Sequence, residues 1–148
     1  MRRLRAVPVR EWPEVIAACF VGVGVELGIR LLPLPHVARM AGVHLDTHEY
    51  EPVGEAERLR LADRTRRQLR ATRRVMRHWP FGNTCLRHAL VLGQRLRHLK
   101  PVLRVGVAKV DGQVRAHAWL EIDGTYVDPV GGAKSYRQLQ PARGRAVE

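Results

Sequence analysis

The apolar positions of this chain recur every three or four residues in its first two thirds and every second residue afterwards, which predicts helices followed by strands. Residues 15–32 are mostly apolar, and Trp-Pro-Glu at 12–14 places a proline in a first helical turn, where its missing N–H costs little. We therefore predict a helix over this stretch. Pro33 and Pro35 end it, and residues 36–41 predict a further helical turn.

The middle of the chain combines a polar stretch with a long amphipathic one. Residues 44–56 are polar and punctuated by proline and glycine, which favours a linker. Residues 55–78 predict a helix with arginines on its outward faces, and Pro80 and Gly82 end it. The inward stripe of this helix is expected to contain Ala62, Thr65, Leu69, Thr72, Met76 and Trp79.

A second amphipathic helix is predicted to begin at Cys85, because Asn83 and Thr84 are both suitable N-cap residues. Cys85 would then lie at the partly positive N-terminal end of the helix and on its inward edge. Both properties favour a thiolate, the reactive form of cysteine. The predicted buried stripe consists of Cys85, Ala89, Leu92, Leu96 and Leu99.

Three strands are predicted over residues 103–110, 113–122 and 125 to about 130, where apolar and polar residues alternate. Asp-Gly pairs at 111–112 and 123–124 separate them and are typical of two-residue hairpin turns. The expected fold class is therefore α+β. The helix that begins at Cys85 would pack on an antiparallel sheet, with a helical segment added at the N-terminus.

The second hairpin turn fixes which side chains share a face of the sheet. Counting back from it places Trp119 opposite Asp128, and His117 shares the face of Trp119. Asp128 is then a diagonal neighbour of His117, at about 5.5–8 Å between backbones. Glu121 is roughly 13 Å along the strand, and Asp123 is in the turn. The spacing therefore selects Asp128 as the carboxylate partner of His117.

A cysteine, a histidine and an aspartate in this order are what a thiol hydrolase of the papain and transglutaminase type requires. The first turn places Gly106 opposite His117, and this small residue leaves room for the end of a helix to approach the sheet. Each residue has a structural alternative: Cys85 as a core residue, His117 as a structural histidine, Asp128 as a turn residue. Because three separate structural elements are expected to converge on one face of the sheet, the catalytic interpretation is favoured over these alternatives.

Composition limits the classes of protein further. A length of 148 residues predicts one domain or one domain with a helical extension, and we divide the chain into a segment over 1–54 and a domain over 55–148. Two cysteines 66 positions apart make no disulfide framework, which favours a reducing, cytoplasmic setting. Glu26 and Arg30 interrupt the first apolar run, so a leader or a single membrane span is disfavoured.

The net charge of +12 is concentrated in one region. Residues 58–104 carry fourteen basic residues against one acidic residue, whereas residues 1–57 carry six against eight. This excess is compatible with a solvated helix face, with a docking surface for an acidic peptide or protein, or with nucleic acid. Aromatic residues are only 5% of the chain and no recognition motif accompanies the charge, so no nucleic acid partner is expected.

Four blocks of sequence around the candidate residues point to a known family. They are Thr84-Cys85-Leu86-Arg87-His88-Ala89-Leu90, Val105-Gly106-Val107, Ala116-His117-Ala118-Trp119-Leu120-Glu121, and Asp128. In this pattern, residues 58–130 resemble the transglutaminase-like leader peptidases of lasso-peptide biosynthesis. The resemblance is to the split form, in which the peptidase is a stand-alone chain and a separate small protein recognises the leader. No residues are left over for a leader-recognition domain, which agrees with that form.

The resemblance implies that the chain removes the leader from a ribosomally made precursor through a thioester. A partner ATP-dependent cyclase then joins the freed α-amine to an acidic side chain. By carry-over, Cys85 is the nucleophile, His117 the general base and acid, and Asp128 the orienting carboxylate. The Cys85 N–H is the expected oxyanion donor, with Trp79 or a group near it as a weaker candidate. No cofactor and no metal are implied.

Other interpretations stay open from the sequence. His44 and His48 are four residues apart, but they lie in the predicted linker without the glutamate that usually intervenes, so metal binding is not expected. The same triad would serve an amidase or acyltransferase of the transglutaminase superfamily. A non-catalytic adaptor that binds a peptide through its arginines is a third function. Membrane contact through the N-terminal segment is a minor alternative.

Overall fold

The structure of this protein, a computed structural model, describes residues 8–46, 62–110 and 112–127. It confirms the predicted α+β class. In chain order the elements are a 3₁₀-helix (Val9–Glu11), α1 (Trp12–Leu31), α2 (Leu34–Met40), β1 (His44–Asp46), α3 (Asp63–Arg77), α4 (Cys85–Arg95), a second 3₁₀-helix (Arg97–Leu99), β2 (Val102–Val110), β3 (Gln113–Ile122) and β4 (Thr125–Val127).

The described strands form a four-stranded sheet in the order β1-β2-β3-β4. β2, β3 and β4 are antiparallel neighbours, and the predicted register is confirmed where Gly106 lies opposite His117. Asp123 and Gly124 between β3 and β4 both have positive φ, at 49° and 72°. This is the backbone that a two-residue type I′ turn requires, and aspartate-glycine adopts it readily.

The prediction of a linker was wrong for residues 44–46, because these residues form β1 and pair in parallel with β2. The strand is short, and its single apolar residue, Leu45, is too little to show alternation in the sequence. An ion pair between Asp46 and Arg104 of β2 accompanies the backbone pairing. The rest of the predicted linker lies in residues 47–61, outside the described residues.

The N-terminal helices agree with the proline positions. α1 begins at Trp12 with a proline in its first turn and ends two residues before Pro33. α2 extends over seven residues, longer than the single turn predicted there. None of the helices in the described parts of the chain is long and apolar enough to cross a membrane.

α4 lies at the centre of the protein and packs against α1, α3 and β3. Six consecutive residues over 88–93 are buried, so the buried surface of α4 is wider than the predicted stripe. The reason is that helices enclose α4 on one side and the sheet on the other. Gly93 allows the closest approach, since a Cβ there would lie 2.3 Å from Val43 Cγ1.

α3 confirms the predicted amphipathic helix from Asp63 onwards, and the residues before 62 are outside the described part. Its buried face includes Thr65, Thr72 and Met76 as predicted, and most of its arginines are exposed. The predicted domain boundary near residue 54 also lies outside the described residues, so it stays a prediction. The described N-terminal helices contribute to the same core as α4, through Val25, Val37, Ala38 and Ala41.

Candidate active site

Cys85 is the first residue of α4, as predicted. Thr84, rather than Asn83, is the N-cap residue, with an extended backbone and a side-chain oxygen that accepts a hydrogen bond from the Arg87 N–H at 3.4 Å. The Cys85 side chain is half-buried and contacts the hydrophobic core from its edge. The cap fixes the start of α4 at Cys85, so the thiol lies at the partly positive end of the helix.

A buried carboxylate of α1 connects to both sides of Cys85. Glu26 accepts hydrogen bonds from Arg87 Nε at 2.7 Å and from Trp79 Nε1 at 3.3 Å, and it forms an ion pair with Arg30 at 3.0 Å. Arg87 also donates to the Thr84 hydroxyl oxygen at 3.4 Å. We refer to Glu26, Arg30, Trp79 and Arg87 as the Glu26 cluster. It links α1 to the residues that precede and follow the nucleophile candidate.

The Glu26 cluster favours the ionised carboxylate. The hydrogen bond from Arg87 is the main cause that holds the pKa of Glu26 below its ordinary value, against the opposing effect of burial. Gly22, one turn earlier on α1, provides the space for Trp79, because a Cβ there would lie 2.7 Å from the indole ring. Sequence reasoning missed this cluster, since Glu26 was interpreted only as an interruption of an apolar run. Its position one turn from a glycine, on a helix otherwise apolar, was the available signal.

The geometry of Trp79 changes one expectation. Its indole N–H is directed at the Glu26 carboxylate, so Trp79 itself is disfavoured as an oxyanion donor. The backbone N–H of Cys85 is one of the four N-terminal N–H groups that an α-helix does not bond internally. It stays the predicted donor.

His117 lies in the middle of β3 and is 5% exposed. The Trp119 ring stacks beside it, with the ring centroids 5.8 Å apart and the planes 23° apart. A Cβ at Gly106 would lie 2.9 Å from Trp119 Cη2, so the indole occupies the space above that glycine. The Trp119 indole therefore fills the space beside His117 that the sequence predicted would admit the end of a helix.

The shared contact between α4 and β3 relates Cys85 to His117. Gly93 lies over Leu120, with a 3.4 Å approach between a Cβ at Gly93 and Leu120 Cδ2. From this contact, the helix extends about 12 Å back to Cys85, and the strand extends about 10 Å back to His117. Alternation along β3 places His117 on the face opposite Leu120. These relations give no distance between the Cys85 sulfur and the His117 imidazole, so contact between the two groups stays a prediction.

The third predicted residue, Asp128, lies outside the described residues, and its role stays a prediction. The register of β3 and β4 agrees with the predicted count as far as Val127, which lies opposite Leu120. The competing carboxylates have other environments. Glu121 accepts a hydrogen bond from Arg104 Nε at 3.0 Å, and Asp123 is exposed in the turn.

The remaining histidine candidates are dispersed. His88 is 2% exposed inside α4, one turn after Cys85, where the sequence assigned it no role. His44 begins β1, and His48 lies outside the described residues. Over the described ranges there is no group of three or more metal-ligating side chains placed to hold an ion.

Comparison with models of protein families gives a match. The profile of the transglutaminase-like superfamily matches residues 28–142, which include α4, the described sheet and all three candidate residues. A search of the curated proteins and a search of the solved structures find no match to the chain.

Proposed function

Because the chain belongs to the transglutaminase-like superfamily, we propose that it is a cysteine peptidase that removes the leader from a lasso-peptide precursor. At the level of the superfamily, the chemistry is that of papain-like cysteine peptidases and acyltransferases. The observation that carries the proposal is the position of Cys85, a half-buried thiol at the capped N-terminus of the central helix. This helix packs on the strand that holds His117.

The proposed reaction proceeds through a thioester. The Cys85 thiolate attacks the carbonyl carbon of the last leader residue, and the Cys85 N–H stabilises the oxyanion. The C–N bond breaks as His117 gives a proton to the departing amine of the core peptide. His117 then takes a proton from water, which attacks the thioester and releases the leader as a carboxylic acid. Asp128 orients the imidazole throughout.

We further propose that the chain acts with two partners, a small leader-recognition protein and an ATP-dependent cyclase. The sequence blocks around Cys85 and His117 resemble the split leader peptidases, and this resemblance supports the assignment. The reaction would take place in the cytoplasm, where a thiol nucleophile stays reduced.

The test is cleavage of a cognate precursor peptide by the purified chain and its recognition protein, followed by mass spectrometry. We expect two products whose masses together equal the precursor plus one water. Cys85→Ala should lower the rate by about a thousandfold or more. Cys19→Ala is the matched control, because Cys19 is an exposed thiol outside the site, and with the recognition protein at saturating concentration it should cleave within about twofold of the wild type. Full-rate cleavage by Cys85→Ala would show that the nucleophile is assigned wrongly.

The same assay distinguishes the second enzymatic candidate, an acyltransferase, which the superfamily match supports equally. Transfer of the acyl group to an added amine gives a product that gains the amine without gaining water. If that product exceeds the hydrolysis product when a peptide amine is supplied at millimolar concentration, the chain is an acyltransferase. If neither product forms, the adaptor function is favoured.

A further inference from the structure

α1 directs its acidic groups and its small residues inward. Glu14 forms an ion pair with Arg95 of α4, and Glu26 is held in the Glu26 cluster. Glu11, just before the helix, pairs with Arg70 and Arg74 of α3 at 3.1 and 2.9 Å. The buried positions of α1 are small apart from Val25 and Glu26: they are Ala18, Gly22 and Gly28. The helix therefore packs on the protein through small residues, ion pairs and a few branched apolar side chains, Val21, Val25 and Ile29.

Six of the large apolar residues of α1 face outward. Each has about half to three quarters of its surface exposed, and together they form what we call the α1 ridge: Trp12, Ile16, Phe20, Val23, Leu27 and Leu31. Exposed apolar side chains grouped on one face of a helix, rather than scattered singly over the surface, are typical of interaction sites. The ridge extends the length of a helix that the structure describes from end to end.

The spacing along the ridge indicates what kind of surface it accepts. Its residues follow one another at intervals of four, four, three, four and four, which is the seam that one α-helix presents to another. Gly24 leaves an opening beside the seam, since a Cβ there would meet no atom within 4 Å. Projecting side chains next to an opening suit knobs-into-holes packing with a helix.

Arginines border the ridge at both ends. Arg10 is exposed before the first turn, and the Arg70 side chain, 53% exposed, lies against Glu11 there. Arg30, 51% exposed, lies at the other end with its guanidinium 4.2 Å from the centroid of the Phe81 ring. A second copy of this chain, with its net charge of +12, would be repelled. A partner with carboxylates beside its apolar strip would be attracted.

We propose that the α1 ridge is the docking site for an acidic, amphipathic α-helix of a second protein. This inference rests on the proposed function for the identity of that protein, the leader-recognition partner. The ridge residue Leu27 directly follows Glu26, which contacts Arg87 two residues after the nucleophile. The ridge therefore lies on the helix whose buried side contacts the start of α4.

Binding is measured apart from cleavage, with the Cys85→Ala chain and the purified leader-recognition protein in isothermal titration calorimetry. The test variant carries Phe20→Glu and Leu27→Glu, two exposed substitutions that retain the packed face of α1. Its Kd should rise at least about tenfold. Met40→Glu, at an exposed apolar position of α2, is the matched control, and its Kd should change less than about twofold. Phe20→Ala with Leu27→Ala repeats the test should the glutamates disturb folding.

A local readout identifies the surface that is covered. In Cys85→Ala the chain has a single thiol, Cys19, which is exposed between Ile16 and Val23 on α1. Bound recognition protein, prepared without cysteine, should slow alkylation of Cys19 by iodoacetamide at least about tenfold, because protein packed on the ridge excludes the reagent.

Four outcomes would overturn the proposal. The first two are equal binding of the recognition protein to the wild type and the ridge variant, and no binding to the wild type. The other two are ridge-dependent binding to vesicles of phosphatidylcholine and phosphatidylglycerol at 7:3, and a ridge-dependent dimer of the chain alone in sedimentation. Failure of the wild-type chain to cleave, with ridge-dependent binding intact, would instead remove only the proposed function.

Discussion

α1 and α4 both contain large apolar side chains, but α4 buries these side chains whereas α1 exposes most of them. α4 is buried over 88–93 and encloses its large side chains between helices and sheet. α1 exposes its large side chains and buries Glu26 among small residues. The difference shows that apolar content alone does not decide which side of a helix is inside. In α1 the acidic residues Glu14 and Glu26 contribute to the choice, because their partners Arg95 and Arg87 lie on α4.

The largest expected difference between α1 and α4 is in the free energy of unfolding when one glycine in each helix is replaced by alanine. Gly93→Ala in α4 places a methyl group 2.3 Å from Val43 Cγ1, a short side chain that has little freedom to move. We expect a loss of about 3 kcal/mol in the free energy of unfolding. Gly24→Ala in α1 adds a methyl group in open space and should gain about 0.5–1 kcal/mol from helix propensity. Urea unfolding measures both, and similar values for the two would contradict the comparison.

A second contrast separates the two ends of α4. Glu26 pairs with Arg87 at the end that carries Cys85, whereas Glu14 pairs with Arg95 at the far end. Glu26→Gln should lower kcat about tenfold with little change in KM, because Arg87 and the Thr84 cap lose their support. Glu14→Gln, the matched control, removes an ion pair between the same two helices and should leave kcat within about twofold. Equal effects on kcat would show that the Glu26 cluster is only structural.

The smallest expected effect is on the thermal stability of the protein at low pH. Burial raises the pKa of Glu11, but hydrogen bonds from Arg74 and Arg70 outweigh it, so the pKa of Glu11, like that of Glu26, lies below the ordinary value of 4.5. Carboxyls with lowered pKa values contribute stability that is complete above pH 4.5 and is lost as pH falls through their folded-state values. We expect Tm to decline below pH 4.5, and to decline less steeply when both residues are glutamine. Parallel curves for wild type and variant would argue against these two ion pairs.

The sequence was sufficient where local chemistry decides the outcome. Asp123-Gly124 specifies a tight turn, and the turn then fixes the register that places Val127 opposite Leu120. Asn83 and Thr84 are likewise both strong caps, so the start of α4 was predictable to within a residue, and the structure shows that Thr84 is the cap. These features depend on neighbours along the chain, and such signals are visible in a single sequence.

The sequence was insufficient where partners are distant. β1 pairs with a strand 58 residues away through three residues, of which only Leu45 is apolar. Glu26 and Arg87 are 61 residues apart, and nothing local marks them as a pair. The outward direction of the α1 ridge depends on such pairs and was equally hidden. Asp128 stays a prediction from register alone.

The three tryptophans of the chain divide among the features described above, which makes the protein its own optical reporter. Trp12 is on the ridge, Trp79 is in the Glu26 cluster, and Trp119 stacks on His117. Variants that retain one indole and carry phenylalanine at the other two would give separate emission signals. Binding of a partner to the α1 ridge, packing of the start of α4 against α1, and binding of a ligand beside His117 could then be followed separately in real time.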